Sequence, residues 1–100
     1  MTCYHLIKIK KSDKPNKKMM AVFENCQTGT KKTTHFGAAG MSDFTLNKDP
    51  ERKKLYIIRH CKNEDWNNPV TAGALSRWIL WNKQTLKSSI DDYKKRFKFY

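Results

Sequence analysis

The sequence predicts an α+β chain: a three-stranded antiparallel β-meander followed by three helices packed on it, in one domain of residues 1–100. Three observations predict it. Apolar residues alternate with a period of two as far as residue 36, turn residues interrupt that half at short intervals, and the period lengthens to that of a helix from residue 49 onward. The meander is expected over 1–36, a glycine-containing corner over 37–48, and the helical part over 49–100. A chain of this length carries one modest core.

Tyr4 to Lys10 sets His5, Ile7 and Ile9 on one face against Tyr4, Leu6, Lys8 and Lys10 on the other, the pattern of a half-buried strand. Ser12 to Asn16 is turn chemistry, with Pro15 ending any ladder. Lys18 to Glu24 is a second strand, with Met19, Ala21 and Phe23 opposite Met20 and Val22. Asn25 to Gly29 turns the chain again, and Thr30 to Phe36 is a third strand rich in threonine. The meander's lysines, Lys10, Lys11, Lys14, Lys17, Lys18, Lys31 and Lys32, read either as solvated hairpin ends or as a basic rim for phosphates or carboxylates.

The rest is organised around His35 to Asp43 (HFGAAGMSD), which holds Gly37 and Gly40. Glycines so placed permit positive backbone dihedrals or a close approach. The segment reads as a tight sheet-to-helix corner with Phe36 and Phe44 plugging the core, or as a loop whose N–H groups form an anion nest. It lacks the Lys-Ser/Thr of a phosphate loop, which favours the corner.

Asp49-Pro50-Glu51 is a helix start: an N-capping Asp, Pro at the first position and Glu against the dipole. That helix is expected to run to about His60, burying Leu55 and Ile58 with support from Tyr56 or Ile57. Asn63 to Pro69 breaks it, and Trp66 docks there as a plug. In TAGALSRWILW, Thr71 caps, Gly73 allows close approach, and Leu75, Trp78 and Ile79 form one stripe with Trp81 nearly opposite. After a short break at Asn82 and Lys83, Leu86, Ile90, Tyr93 and Phe97 recur at amphipathic spacing. Lys94, Lys95, Arg96 and Lys98 load the last turn, and Phe99 and Tyr100 either fray or form an aromatic-basic anchor.

The formal net charge is +12, and within the most apolar stretch, Ala72 to Trp81, Arg77 is the one cation. The charge is therefore surface charge that must meet nucleic acid, an anionic membrane or an acidic protein. No run approaches the roughly 18 apolar residues of a membrane span, and the amino-terminal apolar patch is too short and lysine-interrupted for a signal peptide. Cys3, Cys26 and Cys61 are odd in number and widely spaced, so three free thiols in a reducing, intracellular compartment are expected. Cys3, His5, His60 and Cys61 carry zinc-ligand atoms, but adjacent His60 and Cys61 diverge on a helix, which favours ordinary packing. His35, Asp43, His60 and Glu64 are the only sensible acid–base candidates, and no spacing ties them into a catalytic set. A non-enzymatic protein without a cofactor or metal is expected.

HFGAAGMSDFT, the helix DPERKKLYIIRH, then EDWNNPVTAGALSRWILW and a closing YKKRF resemble a family of small basic proteins of large nucleocytoplasmic DNA viruses of algae and amoebae. The likeness covers about Thr33 to Phe97 and implies Phe36, Gly37, Gly40, Asp43, Arg59, His60, Trp66, Gly73, Arg77 and Trp78 as signature positions. Asn47 departs from it, standing where a histidine is expected, which weakens any joint metal role for His35, residue 47 and His60. The resemblance implies a virion protein made in the host cytoplasm. The expected function is that of a minor capsid protein cementing acidic surfaces of other capsid proteins. Its contacts would be Lys10, Lys11, Lys14, Lys17, Lys18, Lys31, Lys32, Arg77, Trp81, Lys94, Lys95, Arg96 and Lys98. The alternative is sequence-nonspecific binding of the DNA or RNA phosphate backbone by the same cations.

Overall fold

The computed structural model describes residues 3–99, which fall into two compact units, Met1–Ala39 and Gly40–Tyr100. Three antiparallel strands, β1 (Tyr4–Lys11), β2 (Lys17–Asn25) and β3 (Lys31–Ala38), form a sheet in the order β1-β2-β3. Helices α1 (Phe44–Asn47), α2 (Pro50–His60), α3 (Ala72–Leu75) and α4 (Leu86–Arg96) follow, and α3 runs on as a π-helical segment, Ser76–Leu80. The fold is α+β with the expected meander.

In the first unit the register departs from simple alternation at one point. Leu6 pairs with Phe23 but Lys8 pairs with Val22, so Ile7 is the extra residue of a β-bulge and is left exposed. The bulge moves Ile9 onto the face of Tyr4 and Leu6, opposite Ala21, and corrects the face expected from spacing alone. That face also carries Phe23 and, on β3, Thr34 and Phe36; Ala21, Phe23 and Phe36 are fully buried.

The turns form as their residues dictate. Asn25 Oδ1 accepts the N–H groups of Gln27 and Thr28, and Gly29 supplies the positive φ that closes the bend. At the other hairpin, Ser12 Oγ bonds His35 Nδ1 at 2.7 Å across the central strand. A disulfide joins Cys3 to Cys26, just beyond the Tyr4–Asn25 pair, and leaves Cys61 free and exposed. This corrects the expectation of three thiols. The strands bring two cysteines 23 residues apart to a Cα separation of 5.3 Å, which spacing in the chain does not reveal.

In the second unit Asp43 is buried and its side chain accepts the N–H of Thr45, capping a short helix within the stretch expected to be a plain corner. Asp49 caps α2 through the N–H of Glu51, with Pro50 at its first position, and Thr71 caps α3 through Ala74. Thr85 caps α4 through Ser88. The core of this unit gathers Phe44, Tyr56, Val70, Ala74, Leu75, Ile79, Leu80 and Tyr93. Among the described residues no helix is long and apolar enough to cross a membrane.

Helix α2 buries a different face from the one expected. Tyr56 is buried, whereas Leu55 and Ile58 are each 56% exposed. Residues 55–58 are all apolar, so the periodicity offers no single stripe; tertiary partners choose among them.

Candidate interaction surfaces

The sheet face opposite Phe23 is basic. Its rows pair His5 with Glu24 and Lys31, Lys8 with Val22 and Thr33, and Lys10 with Met20 and His35; Lys18 lies on the same face. Val22 and Met20 are only 7% exposed although His5, Lys8, Lys10, Lys31 and Thr33 around them are exposed. Lys11 and Lys32 belong to the other face, Lys17 opens β2, and Lys14 sits in the Ser12–Asn16 turn. The strands thus bring Lys10, Lys18 and Lys31 to one face and send Lys11 and Lys32 to the other.

In the second unit the π-helical segment sets the geometry. Its last turn closes with the Trp81 N–H donating to the Ser76 carbonyl, five residues back, and Arg77 Nη1 donates to the Trp81 carbonyl at 2.8 Å. Such a register is common at functional sites. Here it turns Arg77 between two indoles, 5.5 Å from the Trp66 ring and 4.2 Å from the Trp78 ring. Arg96 of α4 covers the Trp78 ring as well, at 3.7 Å, so Trp66, Arg77, Trp78 and Arg96 form an alternating stack. Trp78 Nε1 donates to the Trp66 carbonyl, while Trp66 Nε1 and Arg77 Nε are buried without a hydrogen-bond partner among the described residues. Burial, with Arg96 close by, pulls the Arg77 guanidinium below its ordinary pKa. Arg77, Trp66 and Trp78 are thus engaged with one another inside this unit. Of the cations expected to make contacts here, Lys94, Lys95, Arg96 and Lys98 are all exposed on or just past the end of α4, Arg96 while also covering Trp78.

A second cluster joins α2 to the end of the π segment. Tyr56 stacks on Trp81, with ring centroids 4.5 Å apart and planes 6° from parallel, and also meets His60 at 4.4 Å. Lys53 Nζ donates to the Asn82 carbonyl at 2.7 Å and lies over the Phe44 ring. Burial, then Arg77 and Lys83, lower its pKa. Asn82 is itself buried and donates to Asp92 Oδ2 at 2.6 Å; Arg96 approaches the same oxygen at 3.4 Å. Burial alone would raise the Asp92 pKa, but the Asn82 hydrogen bond and Arg96 outweigh it and hold the carboxyl below its usual range. These partners fix which side of α2 is buried.

Burial, together with the Glu64 carboxylate, pushes the Tyr56 phenol up to about 12. The folded state therefore favours the neutral phenol, and the unfolded chain loses that proton first. Stability is expected to fall as pH rises from the ordinary tyrosine value of about 10 towards the folded value. Tyr56→Phe keeps the stack and should flatten this alkaline decline in denaturant melts; an unchanged decline would show that the phenol is not shielded.

Of the remaining singled-out residues, Gly37 and Gly40 both have positive φ, 79° and 84°. Gly37 lies within β3, and a side chain at Gly40 would meet open space, so backbone conformation rather than crowding explains Gly40. Gly73 is explained by crowding: a Cβ there would collide with the Glu64 carboxylate, which lies against the first turn of α3. His60 Nδ1 is 3.8 Å from Glu64 Oε1. Cys3 is committed to its disulfide and offers no thiolate to a zinc set, and no group of three or more metal-holding side chains occurs among the described residues. Tyr100 lies outside the described residues.

Sequence reasoning also missed a groove of about 360 Å³ lined by Met41, Ser42, Arg52, Leu55, Arg59 and Trp81. The only signal for it was the excess of apolar residues in α2 over what one buried stripe needs.

Searches of curated proteins and of solved structures return no match. The model of a family of unknown function, DUF5754, matches residues 7–60. The matched span begins within β1, takes in the rest of the sheet and ends with α2, so it starts earlier and stops sooner than the resemblance drawn from the helical half. With more than half of its length matched, the chain belongs to this family of unknown function.

Proposed function

We propose that this chain is a non-enzymatic virion structural protein of a large DNA virus, a minor capsid protein that cements neighbouring shell proteins. One observation carries the reading. Met41, Leu46, Leu55 and Ile58 are all more than half exposed, and Arg52, Lys54, Arg59 and Lys62 stand exposed in the same stretch of chain. A phosphate backbone rewards cations but gains nothing from exposed aliphatic side chains, whereas an acidic protein surface with apolar centres rewards both. The engagement of Trp66 and Trp78 with Arg77 and Arg96 also leaves little of those two rings for bases to stack on. The resemblance to small basic proteins of large DNA viruses supplies the virion setting.

A genome-associated role is the second reading, favoured by the sheet face of His5, Lys8, Lys10 and Lys31. Binding to random duplex DNA, followed by fluorescence anisotropy beside a charge-matched lysine-rich control protein, separates the two. The shell reading expects duplex affinity to collapse with that of the control between low and physiological salt. Affinity that persists well above the control would replace it with the genome-associated reading.

A further inference from the structure

We propose that the groove beside α2 is a docking site for an acidic, extended segment of a partner protein that seats one large aliphatic side chain between two carboxylates. The inference rests on the protein-partner reading above and specifies the chemistry of that partner.

Arg52 and Arg59 are seven residues apart on α2, which places their backbones about 10.5 Å apart along the axis and on the same side. Both are exposed, both line the groove, and neither forms an ion pair with a described residue. Leu55 lies between them, and Met41 and Trp81 complete an apolar lining. The Trp81 ring is held rigid by its stack on Tyr56, so that wall is preformed. The acids of this region are placed elsewhere. Asp43 and Asp49 cap helices, Glu51 opens α2, and Glu64 lies against α3. The site is therefore an apolar slot with an uncompensated cation at each end.

An extended Asp-x-Leu-x-Asp segment fits this arrangement. Its alternate side chains share one face, and its carboxylates are rooted about 13 Å apart, a separation that two long arginine side chains span. The slot volume of about 360 Å³ falls within the roughly 300–1,000 Å³ of ligand pockets, which leaves room for an aliphatic side chain together with the backbone that carries it. Two cations flanking an apolar seat select register as well as sign: the carboxylates place the leucine, and the leucine excludes water from the pairs.

The test uses the full chain and a fluorescein-labelled peptide containing Asp-x-Leu-x-Asp, read by anisotropy at physiological salt. Saturable binding is expected, weakened at least tenfold by Arg52→Glu with Arg59→Glu, and several-fold by replacing the peptide leucine with alanine or both aspartates with asparagine. The peptide controls use the unaltered protein, so they do not depend on how a variant folds. Equal binding of the leucine and alanine peptides would overturn the proposal in favour of charge alone. Absence of saturable binding would overturn it too, as would phosphatidylserine-containing vesicles binding through the same arginines while the peptide does not. The duplex assay keeps the two readings apart. Peptide binding beside salt-resistant duplex binding removes the shell reading and leaves the groove, whereas no peptide binding beside control-level duplex binding removes the groove alone.

Discussion

Tyr93→Ala is expected to lower stability by about 3–5 kcal/mol, the usual cost of deleting a buried aromatic ring. Tyr93 is fully buried in α4, its ring meets Phe97 and Phe99 at 5.2 and 5.6 Å, and its hydroxyl donates to the Pro69 carbonyl at 2.7 Å. One side chain thus ties α4 to the loop that precedes α3 and anchors the end of the chain. Against a total stability of about 5–15 kcal/mol for a domain this size, its loss leaves little margin. Tyr93→Phe separates the two contributions. It keeps the ring and removes one hydrogen bond, so about 1 kcal/mol is expected. Urea melts with an unchanged slope and a shifted midpoint would report both values. If alanine cost no more than phenylalanine, the ring contacts would not be holding this unit together.

Breaking the Cys3–Cys26 bond is expected to cost about 3 kcal/mol, because it releases a closed loop of roughly two dozen residues in the unfolded chain. The bond clamps the open end of the β1–β2 pair, beside the backbone hydrogen bond from Cys26 N–H to the Cys3 carbonyl. Its loss should fray β1, the strand that carries Lys8 and Lys10 of the basic face. For a chain of this length a thermal midpoint lower by on the order of 10 °C or more follows. The comparison is between oxidised and reduced protein, with Cys3→Ser as a second route to the same state. A thiol titration of the oxidised, denatured chain should find one reactive group, Cys61, and all three cysteines after reduction. Three reactive thiols before reduction would rule the bond out.

Features that neighbours along the chain settle could be read from the residues. Alternation and turn residues specified three strands and their order, and Asp49-Pro50 and Thr71 specified where helices begin. Each of these is a contest between local hydrogen bonds, so a short window of residues contains the answer. Features that depend on distant partners could not. Residues 55–58 are apolar all round, and only the Trp81 stack and the Lys53–Asn82 bond turn Tyr56 inward and leave Leu55 and Ile58 outside. The bulge at Ile7 depends on matching β1 to β2 across a hairpin, and the Cys3–Cys26 bond depends on the same pairing. The Trp66, Arg77, Trp78 and Arg96 stack needs a π register whose gain lies in contacts with α4 and the preceding loop. Spacing along a chain carries no term for such contacts, because their free energy exists only once separate segments have met.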